Sequence, residues 1–115
     1  MRLEIRSHDL EIDQELRDSI ESRIRFVLAR SSNRIIRVTV FLSDINGPRG
    51  GIDKRCRIVV RLVPAGQVFV EDTDTDLGVV VDRAMDRVGQ SVRRELERQR
   101  ERGLTGDYSL PSSDL

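Results

Sequence analysis

Polar and apolar residues alternate through residues 2–6, with Leu3 and Ile5 on one side, and this period of two predicts a half-buried strand. The period then lengthens. From Asp13, placed to cap a helix, Leu16, Ile20, Ile24, Val27 and Leu28 recur at helical spacing to about Arg30, and the acids of the first turns suit the positive end of the helix dipole. Residues 35–43 are β-branched and alternating, a second strand with Ile36, Val38, Val40 and Leu42 facing one way and Arg37, Thr39 and Phe41 the other. Asn46-Gly47-Pro48 and Gly50-Gly51 supply turn chemistry before residues 55–62 resume the alternation with Cys56, Ile58, Val60 and Leu62 on the apolar side. Pro64-Ala65-Gly66 predicts a hairpin turn into a fourth strand at residues 67–71, with Val68 and Val70 inward. From about Asp76 the helical spacing returns through Leu77, Val80, Val81, Ala84, Val88, Val92 and Leu96, ending near Gly103. Residues 104–115 carry Gly, Pro and Ser without periodicity, so a disordered tail is expected after a single domain spanning residues 1–103.

The order β-α-β-β-β-α predicts an α+β fold: a four-stranded mixed sheet with two helices packed on one face. A right-handed β-α-β crossover makes the first two strands parallel, and the short connections that follow make antiparallel hairpins. Both helices then start at one end of the domain and finish at the other.

Composition adds the compartment and the charge map. With 37% hydrophobic and 35% charged residues, the chain has enough apolar surface for one core and a heavily charged exterior. No apolar run approaches the roughly 20 residues that span a bilayer, and Cys56 stands alone, so no internal disulfide is expected. The reading is cytoplasmic, with no membrane partner. The formal net charge is zero, but 20 basic and 20 acidic residues are unevenly placed. Residues 9–21 hold Asp9, Glu11, Asp13, Glu15, Asp18 and Glu21 against Arg17, whereas residues 22–37 hold Arg23, Arg25, Arg30, Arg34 and Arg37 with no acid. A second acidic cluster, Glu71, Asp72, Asp74 and Asp76, opens the helix that later carries Arg87, Arg93, Arg94, Arg98, Arg100 and Arg102. The fold turns this pattern into an acidic pole and a basic pole. Dipole complementarity accounts for part of it. The row on the second helix goes further: Arg83, Gln90 and Arg94 fall opposite the apolar stripe with Arg87 and Arg93 on its flanks, and such a row can follow a phosphate backbone.

Catalytic signals do not survive inspection. Ser7-His8-Asp9 holds the residue types of a hydrolase triad, but consecutive residues cannot converge on one hydrogen-bonded line, and His8 reads instead as a polar anchor of the turn after the first strand. One His and one Cys offer no metal-ligand spacing, and neither cofactor nor small-molecule substrate is implied. Gly47, Gly50 and Gly51 precede a strand rather than a helix and lack the Lys-Ser or Lys-Thr of a phosphate-binding loop, so a mobile connection is expected. Cys56, alternating with Ile58 and Val60, reads as a buried small hydrophobe. Phe26 lies off its helix's apolar stripe and is expected to pack between the helices; the outward positions Arg37, Arg55, Arg57 and Arg61 read as a solvated sheet face.

The stretch from Ile5 to Arg17, with its strand ending in His8 and its Glu11-Ile12-Asp13 leading to a helix with Leu16-Arg17, resembles the opening of the ribosome hibernation promoting factor and ribosome-associated inhibitor family, also called the sigma-54 modulation family. Val70-Glu71-Asp72 and Ala84-Met85-Asp86-Arg87-Val88 are similar to the acidic turn and the late helix segment of that family, and the likeness runs from about residue 2 to residue 102. It implies a short-type, non-enzymatic factor that binds the small ribosomal subunit and its rRNA in the decoding region and blocks translation. It also implies RNA contacts at Arg23 in the first helix and Arg87, Arg93 and Arg94 in the second, so that the candidate RNA-binding set is Arg23, Arg83, Arg87, Gln90, Arg93 and Arg94. Gly89-Gln90-Ser91 departs from the charged run usual there and places a helix-destabilising glycine in the contact surface. Two other readings compete: a protein-interaction module without ribosome binding, suggested by zero net charge, and single-stranded RNA binding on the sheet through Phe41 and Phe69.

Overall fold

The computed structural model describes residues 1–46 and 53–103. Strands β1 (Arg2–His8), β2 (Ile35–Asp44), β3 (Lys54–Leu62) and β4 (Gln67–Asp74) form one sheet in the order β1-β2-β3-β4. Helix α1 (Gln14–Val27) links β1 to β2, which pair in parallel, and the two later pairings are antiparallel. Helix α2 (Leu77–Glu101) follows β4. The architecture is the one the sequence predicts. The turn chemistry around Gly47 and the tail from residue 104 lie outside the described residues.

Alternation builds the core. Val38, Val40 and Leu42 of β2, Cys56, Ile58, Val60 and Leu62 of β3, and Val68 and Val70 of β4 are buried under Ile20, Ile24 and Leu28 of the first helical segment and Val80, Val81, Ala84, Met85, Val88 and Val92 of α2. Asp13 and Asp76 cap the two helices, their carboxylates accepting from the backbone N–H of Leu16 and of Val79.

Three local expectations shift. Ile36, expected inward, is 47% exposed, because the β2–β3 register slips between Ile35 and Arg37 and Ile35 takes the buried place. Helix α1 ends at Val27 rather than near Arg30; a 3-10 segment, Ala29–Arg34, tightens the chain through Ser31 and Ser32 so that it can enter β2. Strand β4 runs to Asp74, three residues beyond its predicted end at Glu71, because Asp72, Thr73 and Asp74 pair with Cys56, Arg55 and Lys54 and the acids find cationic partners.

Both helices point the same way. Arg23 of α1 meets Asp82 of α2, and Val27, further along α1, lies beside Gly89, further along α2. The helix ends, the 3-10 segment and the β3–β4 turn therefore gather at one pole.

Candidate nucleic-acid interface

At that pole the end of α1, the 3-10 segment and the second half of α2 enclose a groove. Its floor is made by Val27, Met85 and Gly89, and its rim carries Phe26, Arg30, Ser31, Gln90 and Arg93, with Asp86 as the acid. It continues past Arg34, Leu96 and Glu97 to Arg100. At Gly89 the helices come close: a Cβ there would sit 3.7 Å from Cβ of Val27, an ordinary contact distance. Helix α2 runs through Gly89 without interruption. Phe26, expected to pack between the helices, stands instead at the groove's edge, 83% exposed.

Groove geometry depends on a buried polar joint. Arg34 donates to the carbonyl of Val63 at 2.8 Å and to Oε1 of Gln99 at 2.8 Å, while Gln99 donates to the carbonyl of Ala65 at 3.0 Å and to Glu95 at 3.1 Å. Gln99 is 1% exposed, and its side chain satisfies groups that would otherwise be stranded in the core. This joint ties the 3-10 segment and the β3–β4 turn to α2, which sets Arg30 opposite Arg93. Gly66 of that turn adopts φ +101°, where any Cβ would meet Nε2 of Gln99 at 2.9 Å. Sequence reasoning missed Gln99, although it extends the α2 stripe three residues beyond Leu96.

The structure divides the predicted RNA-binding residues into two groups. Arg83 donates to Asp72 at 2.9 Å, to Asp74 at 2.8 Å and to the carbonyl of Thr73 at 2.9 Å. Arg87 donates to the carbonyl of Glu71 at 2.7 Å, and Arg23 pairs with Asp82. These three arginines stitch α2 to its neighbours. Backbone N–H donation from Asp76, together with the Arg83 guanidinium, holds the Asp74 carboxyl below its ordinary value. Gln90, Arg93 and Arg94 are exposed, and no carboxylate among the described residues lies within ion-pairing distance of Arg93 or Arg94. The same holds for Arg30 and Arg100, which the sequence reading did not single out. Arg98 and Arg102 are drawn to Glu95, whose carboxyl is held low first by Arg98 and then by Gln99.

Unpaired guanidiniums on a groove rim can bind phosphate oxygens through two parallel hydrogen bonds, with no internal carboxylate to displace. His8 touches only the neighbouring Asp9 carboxylate, at 3.3 Å on the open surface, and burial pushes the Cys56 thiol up to about 12. Among the described residues no group of His, Cys, Asp and Glu is arranged to hold a metal ion, and no helix is long and apolar enough to cross a membrane.

Residues 3–100 match the family model described as sigma 54 modulation protein / S30EA ribosomal protein. No curated protein matches the chain significantly. Among solved structures, the N-terminal domain of Protein Y from Thermus thermophilus superposes with a TM-score of 0.67 at 32% identity, covering 82% of this chain and 98% of that one. A ribosomal subunit interface protein from Coxiella burnetii gives a TM-score of 0.65 at 16% identity, covering 83% of this chain and 98% of that one, a likeness of fold.

Proposed function

Because the chain belongs to the sigma 54 modulation protein / S30EA ribosomal protein family, we propose that it is a cytoplasmic hibernation factor that binds the small ribosomal subunit through its rRNA, in the decoding region, and holds translation off. The family comprises non-enzymatic factors, and the proposed activity is occupancy of a site. The observation that carries the reading is the groove whose rim arginines, Arg30, Arg93 and Arg100, with the exposed Arg94 next to Arg93, meet no carboxylate among the described residues. Gln90 adds a neutral hydrogen-bonding group beside them. Arg23, Arg83 and Arg87 contribute by fixing α2 to its neighbours.

Zero net charge fits this picture, since acids at the start of α1 and on β4, where Asp72 and Asp74 engage Arg83, offset the arginines in the sum. Local potential, not the sum, steers a polyanion. The test is co-sedimentation of the protein with purified small and large subunits over a salt series. Retention on the small subunit that falls steeply with salt is expected. Absence from both subunits at low salt overturns the proposal in favour of a protein-interaction module.

A further inference from the structure

The sheet's open face carries a second cationic array that only the strand register reveals. Arg2 pairs with Arg37 across β1–β2, and Arg37 with Arg61 across β2–β3. Three arginines thus stand side by side on neighbouring strands spaced about 4.8 Å apart. Like charges directly opposite one another destabilise a sheet, so their neighbours ordinarily compensate them. Further along the same face this is so: Arg6 has Glu4, and Arg55 and Arg57 share Glu71. At the Arg2-Arg37-Arg61 row no carboxylate among the described residues lies within ion-pairing distance, the nearest on that face along β1, Glu4, being paired with Arg6, and all three side chains are exposed. Phe69, 54% exposed, lies diagonally beside Arg61, one alternation along β4 from its partner Gln67.

We propose that this row, with Phe69, is a second RNA site on the face opposite the groove, taking a single-stranded segment whose phosphates bind the arginines and whose base stacks on the ring. The choice of RNA rests on the proposed function. The array itself calls for a polyanion, and an exposed aromatic beside a cationic row suits a strand that offers both a phosphate and a flat base. The two sites lie at one pole, because β2 begins where the 3-10 segment bearing Arg30 ends, and Ile35 at that start pairs with Leu62 next to Arg61. A domain cationic on both faces at one end is built to wedge between two RNA segments.

The test measures a labelled 12-nucleotide oligouridylate by fluorescence anisotropy with the full chain, with a sheet variant (Arg2→Gln, Arg37→Gln, Arg61→Gln) and with a groove variant (Arg30→Gln, Arg93→Gln, Arg94→Gln). The sheet variant is expected to lose at least about tenfold in affinity, with a shallower salt dependence. It should melt no lower than the parent chain, since a repulsive row is removed. Phe69→Ala should weaken the oligonucleotide about fivefold or more. An unchanged affinity and salt slope in the sheet variant overturns the proposal, as does failure of the full chain to bind the oligonucleotide. Equal binding of oligoglutamate of the same length overturns RNA as the occupant in favour of an acidic protein segment. Small-subunit co-sedimentation separates the two readings. Subunit binding that the sheet substitutions leave untouched removes the second site and keeps the ribosomal function, whereas oligonucleotide binding lost only in the sheet variant, with no subunit retention, keeps the site and removes that function.

Discussion

The two halves of α2 use the same residue type for opposite ends. In the first half Arg83 and Arg87 turn back onto β4, where Asp72, Asp74 and the carbonyls of Glu71 and Thr73 absorb their donors. In the second half Arg93, Arg94 and Arg100 are exposed, while Glu95 engages Arg98, Arg102 and Gln99. The difference comes from what lies beside the helix. An acidic strand flanks its beginning, and a groove beside an acid-free 3-10 segment flanks its end. A basic row read from a helical wheel is therefore two things, a seam within the fold and a contact surface, and only the tertiary neighbours say where one becomes the other.

The largest effect should come from breaking the outward half. Arg30→Ala, Arg93→Ala and Arg94→Ala together are expected to weaken small-subunit binding at least about tenfold, each lost phosphate contact lowering the salt slope by about one. Thermal melting of the same variant should match that of the parent chain, as the three residues have no ion pair among the described residues to lose.

Next comes the joint that holds the two sides of the groove. Gln99→Ala strands the guanidinium contact of Arg34 and the carbonyl of Ala65, and is expected to cost about 1–3 kcal/mol in a denaturant titration. The opposite sign is expected at the floor. Gly89→Ala adds a methyl that meets Val27 and Arg93 at ordinary contact distances, 3.6–3.7 Å, and relieves a helical glycine, so stability should rise by about 0.5–1 kcal/mol.

The smallest effect sharpens the first half. Arg83→Ala should lower the melting midpoint slightly at neutral pH while leaving subunit binding nearly intact. The Asp74 carboxyl is held below its ordinary value, so the stabilisation it contributes is present above the usual carboxylate range of about 4 and fades as pH falls through the depressed value. The difference between Arg83→Ala and the parent chain should accordingly shrink in acid, which paired melts at neutral and acidic pH will show.

Much of this was legible in residue order. Because each element has one face in the core, the period of two named the buried positions of β3 and β4, and the helical stripe of α2 named Val80, Val81, Ala84, Val88 and Val92 but not Met85, Gly89 or Gln99. Ile36 escaped, since its place depends on a register slip that alternation does not encode. The site was less legible. Arg83 and Arg94 look equivalent on the helix, and only pairing with β4 separates them; Arg30 and Arg100 join the groove through the Arg34–Gln99 joint, a contact between residues 65 positions apart. The row of Arg2, Arg37 and Arg61 comes from three strands and exists only once the register is known.

The most direct measurement compares two pair variants, Arg83→Ala/Arg87→Ala and Arg93→Ala/Arg94→Ala, in small-subunit binding as a function of salt. The expected result is a slope shallower by about one to two for the second pair and unchanged for the first. A slope that falls for the first pair and holds for the second would contradict the division of α2 into a seam and a contact surface.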